Sequence, residues 1–196
     1  MLCVLYVVFT IATGNCYDDE GIIEVPDSLN FEFDAVFGRR IMEQLGEVQI
    51  FPKESKMIFP VKDSPVPSFG KNMYSMGQPY IEAYSNNKRM LFHLDTGFSG
   101  SDLSAKYYKE HKAEIDVIGQ LDTLGIGGYC GFKKMEMYSI PKIDLLVGNT
   151  EFTFHNIYVS TDDFEIDNKH GSFGTGFVSL FNKITINFNK MFVDVE

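Results

Sequence analysis

Asp95 closes an apolar run, Leu91-Phe92-His93-Leu94, and opens a small turn, Thr96-Gly97-Phe98-Ser99-Gly100. A carboxylate at the end of a buried strand is costly to ionise unless donors surround it, so its pKa is expected to be perturbed and its position to serve acid–base chemistry. The bland alternative is an Asp that merely turns the chain, as Asp before Gly often does. Thr96 offers a hydroxyl able to lock the turn, and Gly97 permits close backbone approach and unusual φ. Ser99 either donates to the carboxylate or only satisfies the turn.

Other chemistries find little support in the spacing. His93, His111, His155 and His170 are scattered without metal-ligand spacing, and Cys3, Cys16 and Cys130 form no C-x-x-C pair. Neither a metal centre nor a disulfide framework is therefore indicated. Asp162, Asp163 and Asp167 are too irregular for a calcium loop and read as a solvated turn. In Gly125-Ile126-Gly127-Gly128-Tyr129-Cys130 a cysteine stands where a dinucleotide loop needs its third glycine, and a strand pattern follows rather than a helix. These glycines read as a hairpin, either an ordinary one or one mobile enough to close over a cleft. A formal net charge of −10 argues against a nucleic-acid partner, because phosphate binding needs clustered Lys and Arg.

The elements that must position Asp95 are strands. Eighteen Phe and ten Tyr among 196 residues, with few long helix-period stretches, predict a mostly β fold. Length alone suggests one or two domains. Pro79-Tyr80-Ile81-Glu82-Ala83-Tyr84 alternates as a strand, Ser85-Asn86-Asn87-Lys88 makes a turn, and residues 90–94 return toward Asp95. Residues 135–140, 143–147 and 152–159 supply three further strands. Residues 59–70 hold three prolines and a glycine, a plausible linker. No segment is long enough to span a bilayer.

The two ends of the chain resemble each other. Ala35-Val36-Phe37-Gly38, then Leu45 and Val48-Gln49-Ile50, mirrors Gly171-Ser172-Phe173-Gly174, then Phe181 and Ile184-Thr185-Ile186, 136 residues further on (37 to 173). Upstream, Gly14-Asn15, Ile23 and Val25 match Gly148-Asn149, Ile157 and Val159 at a spacing of 134 (14 to 148). Each copy is expected to form a strand, a Phe-Gly step, a short helix and a closing strand.

The mostly apolar Leu91-Phe92-His93-Leu94 followed by Asp95-Thr96-Gly97 resembles the hydrophobic-hydrophobic-Asp-Thr-Gly spelling of aspartic proteases, pepsin-like and retropepsin-like. Phe173-Gly174, about 75 residues on, stands where that family passes a hydrophobic-Gly segment beside the Asp-Thr-Gly loop. The resemblance implies an acid-protease β-barrel lobe with one or two short helices, acting as an endopeptidase on a peptide or protein substrate without a cofactor or metal. Asp95 would be one of two aspartates that share a proton and activate water. Thr96, Gly97 and Ser99 would support its loop. Gly127, Gly128 and Tyr129 would belong to a flap over the substrate. Phe98 is bulkier than the small residue common after the triplet.

This family implies residues 1–60 as the closing part of a first lobe, 61–76 as a linker and 77–196 as a complete lobe. Residues 1–14 alternatively form a signal peptide with a small-residue site at Ala12-Thr13-Gly14, although the basic start is absent; this leans toward export to a periplasmic or extracellular location. The triplet occurs once. A partner aspartate would then come from a homodimer or from a first-lobe half upstream, or the chain is an inactive binding module on the same scaffold.

Overall fold

The computed structural model describes residues 7–8, 22–24, 35–75, 77–128, 131–161 and 168–196, with 7–8, 22–24, 35–37, 126–128 and 131–133 described as backbone only. The apolar start at residues 1–14, apart from Val7–Val8, and Asp162, Asp163 and Asp167 lie outside the described residues.

The chain begins with β1 (Val7–Val8), β2 (Ile22–Glu24) and β3 (Ala35–Phe37), which form a three-stranded sheet in the order β1-β3-β2. Helix α1 (Arg39–Leu45) follows, then β4 (Glu47–Phe51), a 3-10 turn at Pro52–Glu54 and β5 (Lys56–Ile58). The middle holds β6 (Met73–Ser75), β7 (Pro79–Ser85), β8 (Lys88–Leu94), β9 (Ser101–Leu103) and helix α2 (Ala105–Ile118). The chain ends with β10 (Gln120–Gly128), β11 (Gly131–Val147), β12 (Thr150–Ser160), β13 (Gly171–Phe173), α3 (Thr175–Val178), β14 (Ile184–Asn187) and β15 (Phe192–Val195).

Strands β6 to β13 make one sheet in the order β10-β11-β12-β9-β13-β8-β7-β6, and a further pairing of β11 with β7 at Leu146 and Tyr84 closes six of them into a barrel. Alternation drives it: Ile81, Ala83, Met90, Phe92 and Leu94 point inward from β7 and β8 and are buried. The β7–β8 turn is made by Asn86 and Asn87, both with left-handed φ (49° and 63°), the geometry a two-residue hairpin needs and asparagine tolerates. Phe173 is fully buried and stacks on Phe92 at 4.0 Å and on Phe177 at 4.2 Å, so the core centres on the strand beside Asp95.

Several sequence expectations need correction. There are three helices among the described residues, not one or two. The additional α2 is hard to see because only Ala105, Tyr107 and Ile115 are buried along its fourteen residues, so its apolar stripe is thin. The strands expected at 135–140 and 143–147 are one strand, β11. Pro141 interrupts its ladder with β12 without ending it: opposite it Asn156 adopts φ 52°, and the paired residues resume at Lys142 and His155. Met73–Ser75, counted with the linker, is instead a strand of the large sheet. Nearby, Asn72 acts as a strand extension, donating from Nδ2 to Val193 O (2.9 Å) and accepting from Val193 N–H (2.8 Å).

The repeat divides in two. The upstream equivalence does not hold in space: Ile23 lies on β2, beside β3, whereas Ile157 lies on β12, between β11 and β9. The downstream segments each form strand, Phe-Gly step, helix and strand: β3, Gly38, α1, β4 and β13, Gly174, α3, β14. Their last strands pair with each other in a four-stranded sheet of order β15-β14-β4-β5.

Glu47 ties this sheet to the segment around Ser64. Its side chain is fully buried, and its carboxylate accepts four hydrogen bonds of 2.7 Å, from Ser64 N–H, Ser64 Oγ, Gln49 Nε2 and Asn187 Nδ2. Burial alone would raise its pKa, but the bonds from Ser64, Gln49 and Asn187 outweigh it and hold the carboxyl below the usual 4.5. A carboxylate held low stabilises the fold above its ordinary value, and that stabilisation is lost as pH falls through the lowered one. Glu47→Gln sets an amide N–H₂ against donors, and we expect a loss of about 2 kcal/mol. A thermal scan at neutral pH should show the midpoint lower by roughly 4–8 °C.

Candidate active site

Asp95 is delivered by register. Strand β8 runs parallel to β13, pairing Phe92 with Gly171, His93 with Ser172 and Leu94 with Phe173, so the next residue emerges beside the Phe173-Gly174 step. There the Asp95 N–H donates to Phe173 O (2.9 Å), and Asp95 O accepts from Phe98 N–H (3.0 Å), closing the turn. Gly97 N–H donates to Asp95 Oδ1 at 3.0 Å, so one carboxylate oxygen is held by the turn's own backbone. Asp95 is half-buried, Thr96 buried and Gly97 exposed.

The turn is then laced to the far strand. Thr175 N–H donates to Phe98 O (2.8 Å), Gly176 N–H to Gly100 O (3.2 Å) and Thr175 Oγ1 to Ser99 O (2.8 Å). Ser101 Oγ accepts from both Gly174 N–H and Phe177 N–H, each at 3.1 Å, and donates to Gly100 O at 2.9 Å. A side chain of the Asp95 loop thereby takes two backbone donors at the start of the short α3, of which Phe177 N–H also donates to Gly174 O (3.0 Å). On the same strand as Ser101, Asp102 Oδ1 accepts from Ser172 N–H (3.0 Å).

The expected site residues fall into three groups. Asp95, Thr96 and Gly97 form one turn, and Phe173 and Gly174 lie beside it. Ser99 enters the lacing through its backbone carbonyl, and the loop-locking hydroxyl bonds are those of Ser101 and Thr175. The described glycines with left-handed φ are Gly46, Gly70, Gly77 and Gly148, so Gly97 serves by the approach of its N–H and not by unusual φ. Gly127 and Gly128 lie near the end of a long β10–β11 hairpin, with Gly128 opposite Gly131; Tyr129 lies outside the described residues.

Sequence reasoning missed Ser101, Asp102, Thr175 and His170. Ser101 carried one signal, a hydroxyl on the strand that follows the turn. His170 carried none. It is buried, its Nδ1 accepts from Leu91 N–H (3.1 Å) and its N–H donates to Leu91 O (2.7 Å), stitching β13 to β8 four residues before Asp95. Burial, with Lys106 next in weight, pushes its pKa down to about 4 despite Glu110, whose Oε2 lies 3.7 Å from Nε2. His93, two residues from Asp95, is buried with its ring 5.8 Å from that of Tyr80.

Chemically, this arrangement presents one carboxylate on a rigid turn, with an oxygen already engaged by a backbone donor, at the rim of a closed barrel. Among the described residues, no three His, Cys, Asp or Glu side chains are placed to hold a metal ion, and no helix is long and apolar enough to cross a membrane.

No family model matches the chain, and no curated protein matches it. Among solved structures it is similar to a retropepsin-like aspartic protease from Rickettsia conorii, with 19% identity over 60% of this chain and 81% of that one and a TM-score of 0.43.

Proposed function

We propose that the chain is an aspartic-type endopeptidase in which Asp95 is one of the two carboxylates that activate water. The observation that carries this reading is the lacing of the Asp95 turn to the Phe173-Gly174 step, with Asp95 N–H on Phe173 O and Ser101 Oγ on Gly174 N–H. A turn serving only to reverse the chain has no need of donors and acceptors from a strand some 75 residues away; a carboxylate that must hold its place during proton transfer does.

The chemistry follows from shared protonation. Two nearby carboxyl groups cannot both ionise, so one stays charged and takes a proton from water while the other, protonated, polarises the scissile carbonyl. Gly97 N–H on Oδ1 fixes one oxygen of Asp95 in the turn. The β10–β11 hairpin is the candidate flap, its glycines giving the freedom to move over a bound peptide. Residues 77–196 then form the catalytic lobe, with the segment before residue 61 closing a smaller one.

The test is a denatured protein substrate offered from pH 3 to 7. Cleavage at the acidic end, inhibition by a statine-type transition-state mimic and a drop of at least roughly 100-fold in Asp95→Asn are expected. Asp95→Asn that cleaves as fast as the parent chain would remove Asp95 from the mechanism.

A further inference from the structure

The peptide unit between Phe173 and Gly174 is engaged on both of its edges. Its carbonyl, Phe173 O, accepts from Asp95 N–H at 2.9 Å, and its N–H, on Gly174, donates to Ser101 Oγ at 3.1 Å. Asp95 opens the turn, and Ser101 follows Gly100 at its end. A peptide unit is planar and trans, so its C=O and N–H point to opposite sides and move together. The entry and the exit of the Asp95 turn are therefore pinned to one rigid plate, 73 residues from Ser101 in sequence.

Register supplies the plate. Strand β13 lies between β8 and β9, with Phe173 opposite Leu94 on one side and opposite Ser101 on the other. Backbone alone holds the entry, whereas the Gly174 edge is met by a side chain. The Ser101 hydroxyl has its bonding capacity filled: it accepts from Gly174 N–H and Phe177 N–H, each at 3.1 Å, and donates to Gly100 O at 2.9 Å. Capping of α3 explains little of this, because Phe177 N–H already donates to Gly174 O at 3.0 Å. The bond that distinguishes the hydroxyl is the one to Gly174 N–H. Thr175 N–H and Gly176 N–H bind Phe98 O (2.8 Å) and Gly100 O (3.2 Å), which ties the middle and the end of the turn but not its entry.

We infer that Ser101 is a positioning residue for Asp95: its hydroxyl fixes the tilt of the Phe173–Gly174 peptide and, through Phe173 O, the place of the Asp95 backbone. Removing the hydroxyl releases the Gly174 edge, the plate tilts, and Phe173 O leaves the line of Asp95 N–H. The catalytic consequence rests on the proposed role of Asp95; the coupling through the peptide does not.

The test on the full chain has one arm that needs no activity. Amide exchange is followed by NMR in the parent, Ser101→Ala and Ser101→Thr, with Phe188 N–H, which donates to Gly46 O (2.8 Å) at the four-stranded sheet, as internal reference. In Ser101→Ala the Asp95 amide exchanges at least roughly 10-fold faster relative to that reference, and Ser101→Thr, which keeps donor and acceptor, restores it. In the second arm Ser101→Ala lowers kcat by roughly 10- to 100-fold with KM within about 2-fold of the parent, and Ser101→Thr recovers most of the rate. If Ser101→Ala does not fold, Ser101→Cys, a weaker acceptor, carries the same comparison. Equal acceleration of the Asp95 and Phe188 amides, or none, overturns the inference, as does a loss that falls on KM alone. Selective loosening of Asp95 in a chain that cleaves nothing would retire the protease reading and leave the coupling through the peptide standing.

Discussion

Gly174→Ala is expected to dislocate the Asp95 turn, destabilising the protein by about 3 kcal/mol. A Cβ at this position would sit 2.2 Å from Gly100 O and 2.3 Å from Phe98 O, both backbone atoms of the turn itself. Neither atom belongs to a side chain that can rotate away. Relief requires the whole turn or the β13–α3 step to move, which breaks the bonds of Gly174 N–H and Phe177 N–H to Ser101 Oγ and of Thr175 N–H to Phe98 O. The thermal midpoint should fall by roughly 6–12 °C. Cleavage should fall by at least roughly 100-fold even in the fraction that stays folded, because a displacement of about 1 Å is enough to misplace the reacting group. The backbone of Gly174 is extended (φ −106°, ψ −152°), so the requirement is space and not glycine's freedom of φ. Gly70→Ala is the contrasting case: φ is +82° and nothing lies within 4 Å, so it costs about 1 kcal/mol through backbone strain and leaves the turn intact. Equal effects of the two substitutions on cleavage would refute the steric account.

The second large effect is a loss of stability between pH 6.5 and pH 4 that traces to His170. In the unfolded chain its imidazole takes a proton near the ordinary 6.5, whereas in the fold burial and Lys106 hold it neutral down to about 4, opposed by Glu110 and reinforced by Lys88 and His111. Between those values the unfolded state binds one more proton than the native state, so stability is complete above 6.5 and declines as pH falls toward 4. The gap corresponds to roughly 3 kcal/mol. The neutral form is also the one the structure needs, because Nδ1 must accept from Leu91 N–H and a protonated imidazole has no acceptor to offer. His170→Asn keeps an acceptor near that position and removes the titration. Denaturant midpoints at pH 7 and pH 4.5 should differ markedly for the parent chain and much less for the variant; equal pH dependence in both would assign the loss to other groups. Glu47 and Glu110, held below their ordinary 4.5, lose their own contribution from about that value downward, so it is the comparison of parent with variant that assigns the loss above it to His170.

His170 clamps Leu91, on the strand that ends at Asp95. On the proposed reading of Asp95, that strand must keep its place in acid while the catalytic pair holds a single proton. A neutral, buried imidazole does so down to about pH 4, at the cost of stability that the unfolded state gains by protonation.

Much of the site was legible in the chain because its parts are local. The apolar strand ending on Asp95, the turn behind it and the Phe173-Gly174 step each have a signature a few residues long, set by alternation and turn chemistry. The Asn86-Asn87 turn was readable for the same reason. What escaped reading was set by pairing. Ser101, Thr175 and His170 acquire their roles only when β13 lies between β8 and β9, more than seventy residues apart in sequence. Helix α2 was missed because it buries few residues, and the join at Pro141 because a partner strand carries β11 past a residue that usually ends one.

The repeat shows the division most clearly. Sequence by itself determined that two segments, around Phe37-Gly38 and Phe173-Gly174, share one plan, and that the plan places an acid-bearing turn beside the second. It left open whether the copies answer each other within one chain or between two. Tertiary structure set the pairing of their closing strands: a period of two residues makes strand pairing specific once chosen, but the choice depends on which edges are free, and only the folded sheet shows β4 lying on the edge of β14.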